Sequence, residues 1–198
     1  MKIRWTLAAL ALSGMAAACK PQEQAAPPAP AGPEPGTTEW KIQNAMSAAP
    51  AAVAAAAAVL ETPTSPDSQP RELRAGTNGW TCLTDNPGSP GNDPMCVDQQ
   101  FWNWAGAWLS RRTPNITGVG IGYMLQGGSD ASNTDPFKMQ PDSGQPWVDT
   151  GPHVMVVVPN VRALADLPTD HSSGGPYVMW QNTPYAHIMV PIRPARTP

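Results

Sequence analysis

The sequence predicts an α+β domain: a mostly antiparallel sheet with a tryptophan-rich helix packed on one face, all in one domain. Three observations predict it. Val97, Phe101, Trp104 and Trp108 recur at the spacing of one helical face. Runs over residues 117–125, 153–159 and 187–191 are either alternating or continuously β-branched, as strands are. The segments between them are Gly-, Pro-, Asn- and Ser-rich, which is turn chemistry. At 198 residues and 41% apolar composition, the chain is long enough for one fair-sized core.

The chain opens with Lys2 and Arg4, an apolar run over residues 5–12, and the small residues Ala16, Ala17 and Ala18. A basic stretch, an apolar stretch and a small-residue cleavage site are the three parts of a secretory signal, so residues 1–18 are expected to be removed. The apolar run is too short to span a bilayer, which takes about 20 residues. Cys19 follows at once, and this arrangement resembles the lipobox of bacterial lipoproteins. The resemblance implies that the Cys19 thiol is acylated, that cleavage falls before it, and that Cys19 becomes a lipidated N-terminus. Buried methylenes contribute about 0.8 kcal/mol each, and two or more acyl chains make such attachment stable. By the same likeness, Lys20 implies an outer-membrane anchor facing the periplasm. The alternative is an ordinary secretory peptide cut after Ala18 that leaves Cys19 a free thiol.

Removing Lys2 and Arg4 moves the formal charge from −3 to −5. A mildly acidic surface has no basic footprint for nucleic acid or anionic lipid. Membrane contact is therefore expected through the lipid alone. Residues 19–37 carry the lipidated cysteine and a Pro/Ala-rich tether, which buries too little apolar surface to repay its ordering. At about 3.1 Å per residue in polyproline form, it would reach on the order of 40 Å. The globular domain is expected over residues 38–198.

Thr38 is placed to cap a helix through Met46, with Ile42, Ala45 and Met46 on one side. Pro50 interrupts it, and the alanine run that follows predicts helix to about Ala57. A short strand over residues 58–60 is the competing reading. Asn78 and Gly79 signal a turn before Trp80, Thr81, Cys82 and Leu83. Cys82 and Cys96 then flank a loop of almost pure turn residues. In an exported chain these two are expected to pair, with Cys19 accounting for the odd number. Their spacing fits neither a zinc nor a C-x-x-C pattern. The helix after Cys96 is expected to carry Arg111 and Arg112 in its last turn, with Pro114 ending it. Its tryptophans suggest core before any sugar- or lipid-stacking surface.

In the next strand, Gly118, Gly120 and Gly122 fall on one face and are expected to receive the tryptophan rings. Their spacing lacks the third glycine of a dinucleotide fingerprint. The segments His153-Val-Met-Val and His187-Ile-Met-Val echo each other and read as central strands with both faces covered. From about residue 73 the body resembles a family of uncharacterised bacterial lipoprotein domains of unknown activity. The resemblance rests on Gly-Thr-Asn-Gly-Trp-Thr-Cys at 76–82, Gly-Gly-Ser-Asp-Ala-Ser-Asn-Thr-Asp-Pro at 127–136 and Thr-Pro-Tyr-Ala-His at 183–187. It implies secretion and fold only.

Chemistry is expected first in the long connection over residues 127–152, because loops of that length are commonly functional or disordered. Ser129, Asp130, Ser132, Asn133 and Asp135 supply oxygen donors there, and with His153 and His187 they form the candidate ligand-binding set. Calcium suits such donors, but Asp135 stands where the calcium loop needs glycine. The same short side chains are also able to satisfy their own turns. A second candidate is copper. If the two strands are neighbours in register, His153, Met155, His187 and Met189 join as a soft ligand set. A third is acid–base catalysis by His153, His171, His187, Asp130 and Asp135. No G-x-S-x-G elbow is present. The expected function is a lipid-anchored cell-envelope protein that binds a small ligand or envelope component, with no cofactor. An envelope enzyme and a copper-binding protein are the alternatives.

Overall fold

The computed structural model describes residues 32–63 and 68–192. The expected signal segment and Cys19 lie outside the described residues. Thr37, one residue earlier than expected, starts helix α1 (Thr38–Met46): its hydroxyl accepts the Trp40 N–H at 3.2 Å. Helix α2 is only Ala51–Ala54, so the alanine run does not stay helical to Ala57. Arg74 explains the stop. Its guanidinium donates to the carbonyls of Ala54 and Ala57 at 2.8 and 2.7 Å, taking acceptors that further helix would have used. The chain then becomes strand β1 (Ala58–Leu60).

Strands β2 (Glu72–Arg74), β3 (Thr81–Leu83) and β4 (Met95–Val97) follow, then helix α3 (Gln99–Leu109). Next come β5 (Gly120–Met124), the short hairpin pair β6 (Ser129–Asp130) and β7 (Val148–Asp149), and β8 (His153–Val157). The body closes with β9 (Tyr177–Met179) and β10 (His187–Pro191). The main sheet runs β2-β1-β3-β4-β5-β8-β10-β9. Only β1 and β3 pair in parallel; every other neighbouring pair is antiparallel. This is the α+β arrangement the sequence predicts. Cys82 and Cys96 sit opposite each other on β3 and β4 and are disulfide-bonded.

Helix α3 is fixed to the sheet at its first turn by Asp98. One carboxylate oxygen accepts the Phe101 N–H and the other the Ile121 N–H, both at 2.8 Å. The glycine face of β5 does lie against this helix, but its occupant is Phe101 rather than a tryptophan. A Cβ on Gly120 would stand 2.5 Å from the Phe101 backbone nitrogen, and one on Gly122 would stand 3.0 Å from the Phe101 ring. The tryptophans pack one strand group further on, where Trp104 stacks on Trp108 and Trp180 at centroid distances of 6.2 and 6.1 Å. Arg111 and Arg112 fall beyond the helix end. Arg111 takes a left-handed conformation and lays its guanidinium 4.6 Å over the Phe137 ring.

Among the described residues, the opposite face of the sheet is covered in two places. Alanines of α1 and α2 pack on Val59 and the disulfide, and Leu164 of the 3-10 turn Val161–Leu164 packs on Val178. Between these covers, Ile121, Val154, Val156 and Val190 are partly exposed. The central strands are therefore buried on one face, not both. Their β-branched composition gave no way to tell these cases apart.

Candidate functional site

Six buried polar atoms have no partner among the described residues. Asn44 Oδ1, Trp104 Nε1 and Asn133 Oδ1 lie elsewhere, and the other three, Asp93 Oδ1, His153 Nε2 and the Tyr177 hydroxyl, lie at one end of the α3 face. There β4 and β8 begin, β5 ends, and β9 starts at Tyr177. Residues 128–130 cross this end. At Gly128 an added Cβ would lie 3.0 Å from Cε1 of His153, so the chain runs hard against that imidazole. The next N–H, that of Ser129, donates to Oδ2 of Asp93 at 3.2 Å. Asp130 follows and stands close enough to Tyr177 to raise the pKa of its phenol, an effect second to burial.

Asp93 comes from the loop that the disulfide closes. It is buried, its N–H donates to Oδ1 of Asp85 at 2.7 Å, and its own Oδ1 has no partner among the described residues. Burial raises its pKa, with Asp85 and Asp149 adding to the rise against the bonds from Ser89 and Ser129. Asp130 is affected more. It is only partly covered as a residue, yet its carboxyl is desolvated and pushed up to about 7, chiefly by burial and then by Asp93. No hydrogen bond to its carboxyl is present among the described residues. Asp85, Asp93, Asp130 and Asp149 also have no ion-pair partner there; the recorded pairs are Lys41–Glu61, Arg71–Glu61 and Lys138–Asp142.

Two further polar atoms are buried without partners in this region, the Tyr177 hydroxyl and Nε2 of His153. His153 is 1% exposed, and its Nδ1 meets the Gly151 carbonyl at 2.7 Å. A carbonyl only accepts, so Nδ1 carries the proton and Nε2 presents a lone pair. Burial lowers the pKa of this ring, which keeps it neutral.

The other sequence candidates separate from this cluster. The Ser132 hydroxyl accepts the N–H groups of Thr134 and Asp135, and Asp135 Oδ1 accepts the Phe137 N–H at 2.9 Å. These two residues hold their own turn. Asn133 donates from Nδ2 to Thr169, and its carbonyl accepts the Trp180 N–H at 2.9 Å. The Trp180 indole donates to the Ser132 carbonyl at 3.0 Å, so the connection is stitched to the core at this point. Ser129 and Asp130 belong to this end of the sheet; Ser132, Asn133 and Asp135 hold the connection, with Asn133 Oδ1 buried and without a partner among the described residues.

Strands β8 and β10 are neighbours, and Met155 lies directly opposite Met189. The register is antiparallel, however, with Pro191 facing His153 and Ile188 facing Val156. The two histidines stand at opposite ends of the ladder, four residues or about 13 Å apart along it. His187 is enclosed by Trp104 and Trp180 at centroid distances of 5.1 and 5.0 Å. Its Nδ1 meets the Tyr185 carbonyl at 3.0 Å, and burial drives its pKa down to about 4. No group of three or more His, Cys, Asp or Glu among the described residues is placed to hold a metal ion. The acid–base set converges in part: Asp130 and His153 share this end of the sheet, where His171 also lays its ring 6.4 Å from that of Tyr177, while His187 and Asp135 stand apart.

Sequence reasoning missed Asp93 and Tyr177. Asp93 sits in an Asn-Asp-Pro run that reads as a turn, and Tyr177 in a strand that reads as core. Two surface recesses lie elsewhere. One of about 370 Å³ is lined by Trp40, Lys41, Glu61 and Arg71, where Glu61 already accepts from both cations. Another, beside Val161 and Gln181, has no comparable set of unmet groups. No family model, curated protein or solved structure matches the chain.

Proposed function

We propose that this chain is a lipid-anchored cell-envelope protein whose domain binds a small ligand or envelope component at the Asp93–Asp130 cluster. One observation carries the binding reading. Three buried polar atoms without partners among the described residues, Asp93 Oδ1, the Tyr177 hydroxyl and His153 Nε2, lie with the Asp130 carboxyl at the same end of one sheet face. A buried polar group without a partner costs about 1–3 kcal/mol, so several kept together favour a ligand that satisfies them. A raised carboxyl also suits an acid–base enzyme; His187 is enclosed by tryptophans, which leaves that reading with His153 and with His171, whose ring lies 6.4 Å from that of Tyr177.

The envelope location is supported by the signal-like residues before Cys19 and by the disulfide, which persists in oxidising compartments. Among the described residues no helix is long and apolar enough to cross a membrane. Attachment is tested by Cys19→Ser, which should move the protein from the membrane fraction to the soluble periplasm. Binding is tested by thermal-shift screening of small cations, sugars and amino acids against wild type and Asp130→Asn. A ligand that stabilises only the wild type supports the reading. A screen with no Asp130-dependent hit removes it.

A further inference from the structure

We infer that the cluster of Asp93, Asp130, Tyr177 and His153 takes a small organic cation, a primary ammonium or a guanidinium group. This inference rests on the cluster being a ligand site and adds the chemical class. The available atoms are weighted toward acceptors. Asp93 Oδ1 is a buried carboxylate oxygen without a partner among the described residues, and His153 Nε2 is a lone pair because the Gly151 carbonyl holds the proton on Nδ1. The Asp130 carboxyl has no internal donor among the described residues, and the Tyr177 hydroxyl is able to accept. An ammonium offers three donors and a guanidinium five, so either satisfies such a set with charge-assisted bonds.

Charge points the same way. Asp85 and Asp149 stand near Asp93, and Asp93 near Asp130, without an ion-paired lysine or arginine among the described residues. A cation would relieve repulsion that the described residues leave in place. A metal ion fits less well, because these carboxyls are not grouped for coordination. Directional N–H donors tolerate the wider spacing.

Binding a cation to ionised Asp130 is linked to loss of its proton. The titratable groups around this carboxyl are Asp93, with Asp85 and Asp149 near it, and Tyr177, against whose ring His171 packs at 6.4 Å; His153 stands at the same end of the sheet. His153 is held neutral by burial, and the phenol stays protonated as its pKa is raised. Asp130 therefore changes charge near neutrality, and Asp130→Asn separates its titration from that of the neighbouring groups. A carboxyl with a pKa of about 7 goes from roughly one-tenth to nine-tenths ionised between pH 6 and pH 8.

The test is calorimetric titration of the full-length protein with methylammonium and with methylguanidinium, at pH 6 and pH 8, in two buffers of different ionisation enthalpy. The expected result is saturable binding, about tenfold tighter at pH 8, with protons released to buffer at pH 6. Asp130→Asn should weaken it at least tenfold and Tyr177→Phe several-fold, while Asp135→Asn, in the self-capped turn, leaves it unchanged. If neither cation saturates but a neutral sugar or an anion binds in an Asp130-dependent way, the cation inference fails and the ligand site stands. If calcium or magnesium saturates the site instead, the organic class is overturned. If no probe shows Asp130-dependent binding, both readings fall.

Discussion

The Asp93 carboxylate accepts the Ser129 N–H at 3.2 Å, and this bond joins the disulfide-closed loop to the strand that carries Asp130. The same carboxylate is the second cause of the raised Asp130 pKa, after burial. Asp93→Asn separates these roles, because an amide oxygen still accepts the Ser129 N–H while the charge is gone. The Asp130 titration should move down from about 7 but stay above an ordinary aspartate, since burial remains. Carboxyl-carbon NMR across pH 4–9 measures it. A midpoint identical to that of the wild type would show that Asp130 does not sense Asp93.

Asp130 and His187 bend the stability profile in opposite directions. Folded Asp130 keeps its proton up to about pH 7, whereas the unfolded residue loses it near 3.8. Between those values the native state holds more protons, so this group's contribution falls as pH rises. Folded His187 gains a proton only near pH 4, whereas the unfolded residue gains it near 6.5. Its contribution falls as pH drops through that window, and buried His153 acts in the same sense. Asp130→Asn should therefore leave the acid-side loss and remove the neutral-side loss. At pH 8 the variant should be more stable than wild type by roughly 1–3 kcal/mol, reduced where the carboxyl edge meets water. Urea unfolding at pH 5 and pH 8 checks the sign. A variant less stable at pH 8 would mean that Asp130 is satisfied in the fold.

Two glycines in β5 should respond unequally to alanine. At Gly120 the added Cβ meets the Phe101 backbone nitrogen at 2.5 Å and Val157 at 2.7 Å. At Gly122 the nearest atoms are the Met155 methyl and the Phe101 ring, both at 3.0 Å. Side-chain ends shift more cheaply than a helix backbone held by Asp98. Gly122→Ala should cost about 1–3 kcal/mol, as overpacking does, and Gly120→Ala more. Denaturant midpoints order the pair, and the reverse order would show that α3 slides freely on the sheet.

The sequence reveals what depends on local period and hides what depends on register. Phe101, Trp104 and Trp108 announce α3 because helical spacing is written in neighbouring residues. Val154, Val156, Ile188 and Val190 announce strands, but not which face remains open. The copper idea needed β8 and β10 adjacent, as they are, and also needed the histidines at one end. Antiparallel pairing denies that, and no local feature reports the direction of a neighbour. The acidic cluster was legible only in Asp130. Asp85, Asp93 and Asp149 come from separate segments, each of which reads alone as turn chemistry. The alanine helix failed for a similar reason, since Arg74 ends it from 17 and 20 residues away.

The disulfide should matter to the cluster as well as to global stability. Cys82 and Cys96 are opposed on β3 and β4, and the loop they close delivers Asp85 and Asp93. Closing about 15 residues is worth roughly 3 kcal/mol by the chain-entropy argument. Both cysteines are fully buried among alanines of α1 and α2, so two alanines would leave a cavity. The double replacement Cys82→Ala, Cys96→Ala should therefore lose at least that amount in urea. Serine at both positions should lose more, because its hydroxyls would be buried there. Reducing agent should shift the wild type toward the variants and leave the variants unmoved. The Asp130 titration should also fall toward the ordinary range as the loosened loop lets water reach the carboxyl. A variant with wild-type stability and an unchanged Asp130 midpoint would separate the bridge from both roles.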